Sequence, residues 1–248
     1  MNRTKIEFLD FSWSPFAMRC TPISEGCANC WHIRMCRRMA GNHYAFGHKI
    51  RDVYDGSAPP YLVESRLNDP GIRKKPAISG VQFMGDLFHP DISHYDRNRV
   101  FEVMKLHNQH TYLLLTKRPE IALEFDQWRY ERQTEQPYSP WGEHMWLGVS
   151  VENQKRAEER LPKLFHVPAF HYWVSAEPLL GPIDFGIDIG DGVGDLAIDQ
   201  LSFLIAGPET GPGARPCEPE WIKDLYDLGV KFFDKRKEGW LAREVPKW

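Results

Sequence analysis

The chain has 248 residues, with 42% hydrophobic, 26% charged and 13% aromatic side chains and a formal net charge of −3. That balance supplies a sizeable core and excludes an intrinsically disordered chain, and the near-neutral charge excludes a global positive field that would advertise nucleic acid. No stretch approaches the roughly 20 apolar residues of a membrane span, and the first residues, MNRTKIEFLDFSW, lack the apolar centre of a secretory leader. The expectation is a cytoplasmic protein, in the host cytoplasm if phage-encoded, with no membrane partner.

Taken in chain order, the first notable feature is a cluster of thiols. Four of the five cysteines, Cys20, Cys27, Cys30 and Cys36, fall in the N-terminal segment, while Cys217 stands alone. In a reducing compartment such a cluster reads as metal binding or catalysis before disulfides. The first three have the spacing C-x6-C-x2-C, and Trp31, Met35 and Met39 after them suit a helix. Structural zinc needs four ligands, so zinc would recruit His32 or Cys36, whereas three thiolates can hold an iron–sulfur cluster with one iron left open. On a helix, Cys36 would sit roughly 120° round and about 9 Å along from Cys30, which argues against it; His32 stays possible. Spacing alone leaves zinc and cluster evenly matched.

Next comes a rhythm of apolar runs about 30 residues apart, the length of one βα unit. The runs are Val81–Asp86, Thr111–Lys117, Met145–Glu152, His171–Pro178, Leu201–Gly207 and Val230–Asp234. Between them lie helical patterns at Asp96–Gln109, at Glu152–Phe165, where Pro162 is expected to kink or shorten the helix, and at Glu218–Leu228. Alternating strands and helices predict a parallel α/β fold, as an open sheet or a barrel, in one domain over 1–248. Residues 179–200, rich in Gly and Asp, read as a long loop or lid.

The predicted strands end in polar residues: Asp86, Thr116 with Lys117, Ser150 with Glu152, Ser175 with Glu177, Glu209, and Asp234 with Lys235. Carboxyl ends of parallel strands line active sites in such folds, so these residues predict one shared mouth. By chemical type, Lys117 suits a carboxylate, Ser150 and Glu152 suit ribose hydroxyls, and Asp86 or Glu177 suits an ammonium. Glu209 and Arg215, in the loop GPETGPGARP, are candidates for substrate contact, and Lys117, Asp234 and Lys235 are the candidate catalytic groups. Basic patches (Arg34, Arg37 and Arg38; His48, Lys49 and Arg51; Arg73, Lys74 and Lys75) permit a polyanionic substrate. Trp13, Trp128, Trp141 and Trp240 are candidates for stacking on a nucleobase.

The blocks TKIEF, SWSP, the three-cysteine motif followed by Trp31, GDLFHPDI, LLLTKRPE, WLGVSVENQ with AEERLP, VSAEPLLGPID and AGPETGPGARP occur in that order. Over nearly its whole length the chain thereby resembles a phage and bacterial family with an N-terminal three-Cys motif, considered related to radical S-adenosylmethionine (SAM) enzymes. The resemblance implies a partial (β/α) TIM-like barrel, with a cluster-binding segment at about residues 12–40 and a 4Fe–4S cluster on Cys20, Cys27 and Cys30. It also implies SAM as cofactor, a 5′-deoxyadenosyl radical as the reactive species, and a reducing partner such as flavodoxin or ferredoxin. The phage association suggests a modified nucleobase in DNA or RNA as substrate and an isomerase or lyase in DNA hypermodification. Two other readings stand beside it: the same chemistry on a small metabolite or peptide, and a zinc-stabilised nucleic-acid-binding protein without catalysis. Phe8, Ser14, Arg19 and Trp31-His32-Ile33 depart from the family pattern, so the substrate contacts are expected to differ. Cys36 and Cys217 are expected to be buried free thiols.

Overall fold

The structure is a computed structural model that describes residues 1–41, 48–132, 141–190 and 196–236. It has an eight-stranded, mostly parallel sheet and divides into two compact units, Met1–Leu114 and Leu115–Trp248.

In the first unit, β1 (Asn2–Arg3) pairs antiparallel with β2 (Phe11–Trp13), and β3 (Phe16–Ala17) leads into the cysteine segment. Two helices follow, α1 (Trp31–Gly41) and α2 (His48–Asp55), then β4 (Tyr61–Leu62), which pairs antiparallel with β3. The buried faces of α1 and α2 meet in a small core of Ala17, Cys36, Val53 and Tyr54. A single turn, α3 (Asp69–Ile72), precedes β5 (Ile78–Val81), which lies parallel to β2. Helix α4 (His94–Leu106) opens on Ser93, whose hydroxyl caps Asp96 N at 3.1 Å while donating to the Asp96 carboxylate at 2.9 Å.

Strand β6 (Thr111–Thr116) reaches the second unit, which continues through α5 (Pro119–Arg132), β7 (Met145–Ser150), α6 (Gln154–Phe165), β8 (His171–Ala176), α7 (Ala197–Gln200), β9 (Leu201–Ala206), α8 (Pro219–Asp227) and β10 (Phe232–Asp234). The sheet order is β1-β2-β5-β6-β7-β8-β9-β10, so from β5 onward each strand lies beside its predecessor. The last four strands pair parallel. β7, β8 and β9 are buried on both faces, as parallel strands with helical crossovers require. Gly148 lies where a Cβ would come within 2.4 Å of the Trp173 ring; its bareness admits a fully buried tryptophan beside β7.

Several expected boundaries move. The run Val81–Asp86 is a strand only at its first residue. Gln82 takes φ 54°, and its amide is bound to both the N–H and the carbonyl of Phe16. The chain therefore leaves the sheet there. Pro162 does not shorten its helix: α6 runs on to Phe165, with Pro162 itself, which has no N–H to donate, one turn from the helix end. Helix α5 is not apparent in the apolar pattern because its buried face carries Asp126 and Arg129, 3.6 Å apart, alongside Ala122 and Phe125. The described part of 179–200 is mostly irregular, as expected, with a bridge between Asp188 and Leu196 and the one-turn α7; residues 191–195 lie outside the description.

Candidate functional site

The cysteine segment has little regular structure of its own between β3 and α1. Cys20 lies outside any helix or strand, Cys27 closes a 3-10 turn over Glu25–Cys27, and Cys30 directly precedes α1. Two backbone bonds, Cys27 N to Ser24 O at 2.9 Å and Cys30 N to Cys27 O at 3.2 Å, set the turn. All three cysteines are half-buried and form no disulfide.

Their neighbours in sequence are withdrawn. Cys36 is fully buried, and burial pushes its thiol up to about 11. Its Sγ lies 3.7 Å from Met18 O and 3.4 Å from His32 Nε2. The His32 ring is 2% exposed, and burial lowers its pKa to about 4, with its bond to the Met18 backbone only partly opposing that shift. The same Nε2 accepts from Cys20 N at 3.4 Å. His32 is thus a neutral imidazole that braces the backbone of the first cysteine.

The loop after β5, which carries GDLFHPDI, supports this segment from the other side. Thr21 Oγ1 and His89 Nε2 are 2.9 Å apart, and His89 is 1% exposed. Gly85 adopts φ 132°, and a Cβ there would lie 2.3 Å from Met18 Sδ, so only glycine lets the loop close against the chain leading to Cys20. The loop is pinned by fully buried Arg97 of α4, which donates to the carbonyls of Leu87 at 3.0 Å, His89 at 3.1 Å and Ile92 at 3.0 Å. Asp86, buried in this loop five residues beyond the end of β5, accepts from Phe88 N at 2.9 Å. It is a loop residue and not the strand end expected.

In the second unit the polar residues do follow the carboxyl ends of strands, and they are bonded to one another. Glu152, after β7, is fully buried; one oxygen takes Lys117 Nζ and the other takes Arg160 Nη1 at 2.8 Å. Arg160, from α6, also donates to Ser150 O at 2.6 Å. Glu177, after β8, accepts from Ser175 Oγ at 3.1 Å and pairs with Lys235 at 2.6 Å. Gly207, after β9, sits where a Cβ would touch both Lys235 and Glu177, so the ends of β8, β9 and β10 converge. Glu209 takes Arg215 through N at 2.9 Å and Nε at 2.8 Å. Buried Asp234 is held by Arg236 through Nε at 3.0 Å and Nη2 at 2.6 Å.

Several sequence-based expectations change. Glu152 has both oxygens engaged with cations, so a ribose hydroxyl there would share an oxygen with Lys117 or Arg160. Trp13 and Trp141 are core residues at 0% exposure; their indoles donate to Arg66 O at 2.8 Å and Asp126 Oδ1 at 3.0 Å. Trp128 is half-buried beneath Arg132, and Trp240 lies outside the described residues. Among the described residues the exposed tryptophan is Trp31, at 46%, on the turn that also presents Arg34, with Arg38 one turn further. Cys217 is half-buried, and its thiol is raised chiefly by that burial. The sequence reading missed Gln82, His89, Arg97 and Arg160.

Among the described residues, no three His, Cys, Asp or Glu side chains surround a common metal position. A metal's fit is therefore judged on the donor set, and three half-buried thiols on an irregular loop suit thiolate ligation. Among the same residues no helix is long and apolar enough to cross a membrane.

Residues 3–247 match the family model described as "Protein of unknown function (DUF5131)". The chain belongs to that family. No curated protein and no solved structure gives a significant match.

Proposed function

We propose that this DUF5131 protein is a radical SAM enzyme whose 4Fe–4S cluster is held by Cys20, Cys27 and Cys30 and whose substrate is a nucleobase in DNA or RNA, rearranged or cleaved as by an isomerase or lyase. The observation that carries the reading is the sorting of the four N-terminal thiols. Three are half-buried on one loop, while Cys36 and the adjacent His32 are packed inward, so the natural fourth ligands of a zinc site are withdrawn. The run of neighbouring strands from β5 to β10 is the order of a partial (β/α) barrel and favours the same family.

With SAM, such a cluster supplies the electron that breaks a carbon–sulfur bond. This chain's own residues would bind and orient. Lys117, steadied by Glu152, presents an ammonium suited to the cofactor's carboxylate. The Ser150 hydroxyl and the carboxylates of Glu177 and Asp86 suit the ribose and ammonium groups. Glu209 and Arg215 shape the loop after β9, and Asp234 and Lys235 are candidates for moving or holding a proton on the substrate side. A nucleic-acid substrate is favoured by the face of α1, where exposed Trp31 offers a stacking plane beside Arg34 and Arg38.

Anaerobic reconstitution tests the reading. About four irons per chain are expected, retained in Cys36→Ala and lost in Cys27→Ala, with 5′-deoxyadenosine formed on adding SAM and reductant. A colourless protein holding a single zinc overturns it.

A further inference from the structure

The first unit contains a pocket that the cluster reading does not use. It has a volume of about 530 Å³ and is lined by Phe11, Asp69, Ile72, Arg73, Lys74 and Lys75 together with the first two residues. The volume is that of a small-molecule site. Its walls are chemically divided. Phe11 and Ile72 are apolar, and Ile72 is 75% exposed at the rim.

The cationic wall outnumbers its counter-charges. Asp69 is the pocket's carboxylate, and it already pairs with the amino group of Met1. Lys74 donates to Gly71 O at 3.1 Å, a neutral partner. The Arg73 guanidinium carbon lies 3.8 Å from the centre of the Phe11 ring, and its Nε is buried without a hydrogen-bond partner. Its main chain is held too, by Arg73 N to Pro70 O at 3.3 Å and Gln109 Nε2 to Arg73 O at 3.4 Å. Solvated surface cations are mobile and fully hydrated. Here a planar cation is stacked in place and incompletely compensated, beside two lysines, which is the arrangement that recognises phosphate. The apolar part of the wall adds a surface for a base or sugar.

We propose that this pocket binds a phosphate-bearing ligand, either a free nucleotide or a phosphate of a nucleic-acid strand, with Arg73, Lys74 and Lys75 as its cationic wall and the stack of Arg73 on Phe11 as its floor. The proposal does not depend on the cysteines or on a metal.

Titration calorimetry on the full chain, at about 0.15 M ionic strength so that diffuse attraction is screened, tests it with inorganic pyrophosphate, AMP and a short single-stranded oligonucleotide as probes. Saturable binding is expected, weakened about tenfold or more by the exposed pair Lys74→Ala and Lys75→Ala together, the loss of a charge-assisted contact. Arg73→Lys keeps the charge but not the planar stack and should weaken AMP more than pyrophosphate. Lys163→Ala, exposed on α6, should change nothing. AMP binding without oligonucleotide binding identifies a free nucleotide, and competition by the oligonucleotide identifies a strand; both support the pocket. Absence of saturable binding to all three probes, or equal weakening by Lys163→Ala, overturns it. Iron loading plays no part in the readout, so failure here leaves the cluster reading standing, and the reverse.

Discussion

The cysteine loop of the first unit and the strand ends of the second solve opposite problems. Around the loop, the groups that could compete for a metal are buried and neutral: a thiol raised to about 11 and an imidazole lowered to about 4. At the strand ends the charges are kept, but each has a partner: Lys117 and Arg160 on Glu152, Lys235 on Glu177, Arg215 on Glu209, Arg236 on Asp234. The loop keeps three thiols half-buried, whereas any ligand at the strand ends must displace or share an existing ion pair. Protein stability and ligand chemistry should therefore separate cleanly between the two regions.

The sharpest break comes from pairing Cys27→Ala with Glu152→Ala. The first should abolish iron uptake yet change the urea unfolding free energy of the metal-free protein by less than about 0.5 kcal/mol, as for other partly exposed sites. The second strands Arg160, whose side chain is 5% exposed, and Lys117 without their carboxylate, and should cost about 3–5 kcal/mol in the same measurement. The double replacement Glu152→Gln with Arg160→Met should cost clearly less, because the buried guanidinium leaves with the carboxylate and only Lys117, 18% exposed, loses its counter-charge.

Arg97→Met sharpens the contrast within the first unit. It removes the donor from three loop carbonyls and should cost about 3 kcal/mol. Because that loop braces Thr21, alkylation of Cys20 and Cys27 by iodoacetamide should quicken in the variant, while alkylation of Cys36 stays slow in both proteins.

The smallest effect is a pH profile. His32 has its pKa lowered from 6.5 to about 4, so the unfolded chain binds its proton first and stability is lost as pH falls through that window, by about 2–3 kcal/mol. Cys36 has its pKa raised from 9.0 to about 11, so the folded chain holds its proton longer and stability is lost as pH rises through that window. Urea midpoints against pH should give a plateau between 6.5 and 9.0. His32→Gln should flatten the acid limb alone.

Much of the fold was readable because periodicity reports burial directly. Strands β6 to β9 begin where their apolar runs begin, since each is covered on both faces and admits few polar residues. The unpredicted helix α5 and the overlooked arginines of α4 and α6 share one cause. α4, α5 and α6 each carry an arginine on the buried stripe: Arg97 beside Val100, Phe101 and Met104; Arg129 beside Ala122 and Phe125; Arg160 beside Ala157, Leu161 and Leu164. In a sequence such a residue looks like a break in the apolar face. In the fold, Arg97 and Arg160 hold loops and strand-end carboxylates, so a charge at a stripe position was the available signal. The stacking tryptophans were misassigned for a related reason. An indole is large enough to fill a core and polar enough to sit at a surface, and Trp13 and Trp31 differ only in what surrounds them.

By itself the sequence determined a βα alternation, the positions of most strands and helices, and a trio of thiols spaced for one loop, because these depend on local period and on separation along the chain. Which thiol is sequestered, which carboxylate is already held by two cations, and which basic run lines a pocket were decided only by tertiary structure. Those properties depend on desolvation and on partners 8 to 68 positions away in sequence, such as Arg160 for Glu152 and the first residue for Asp69, and no local pattern encodes them.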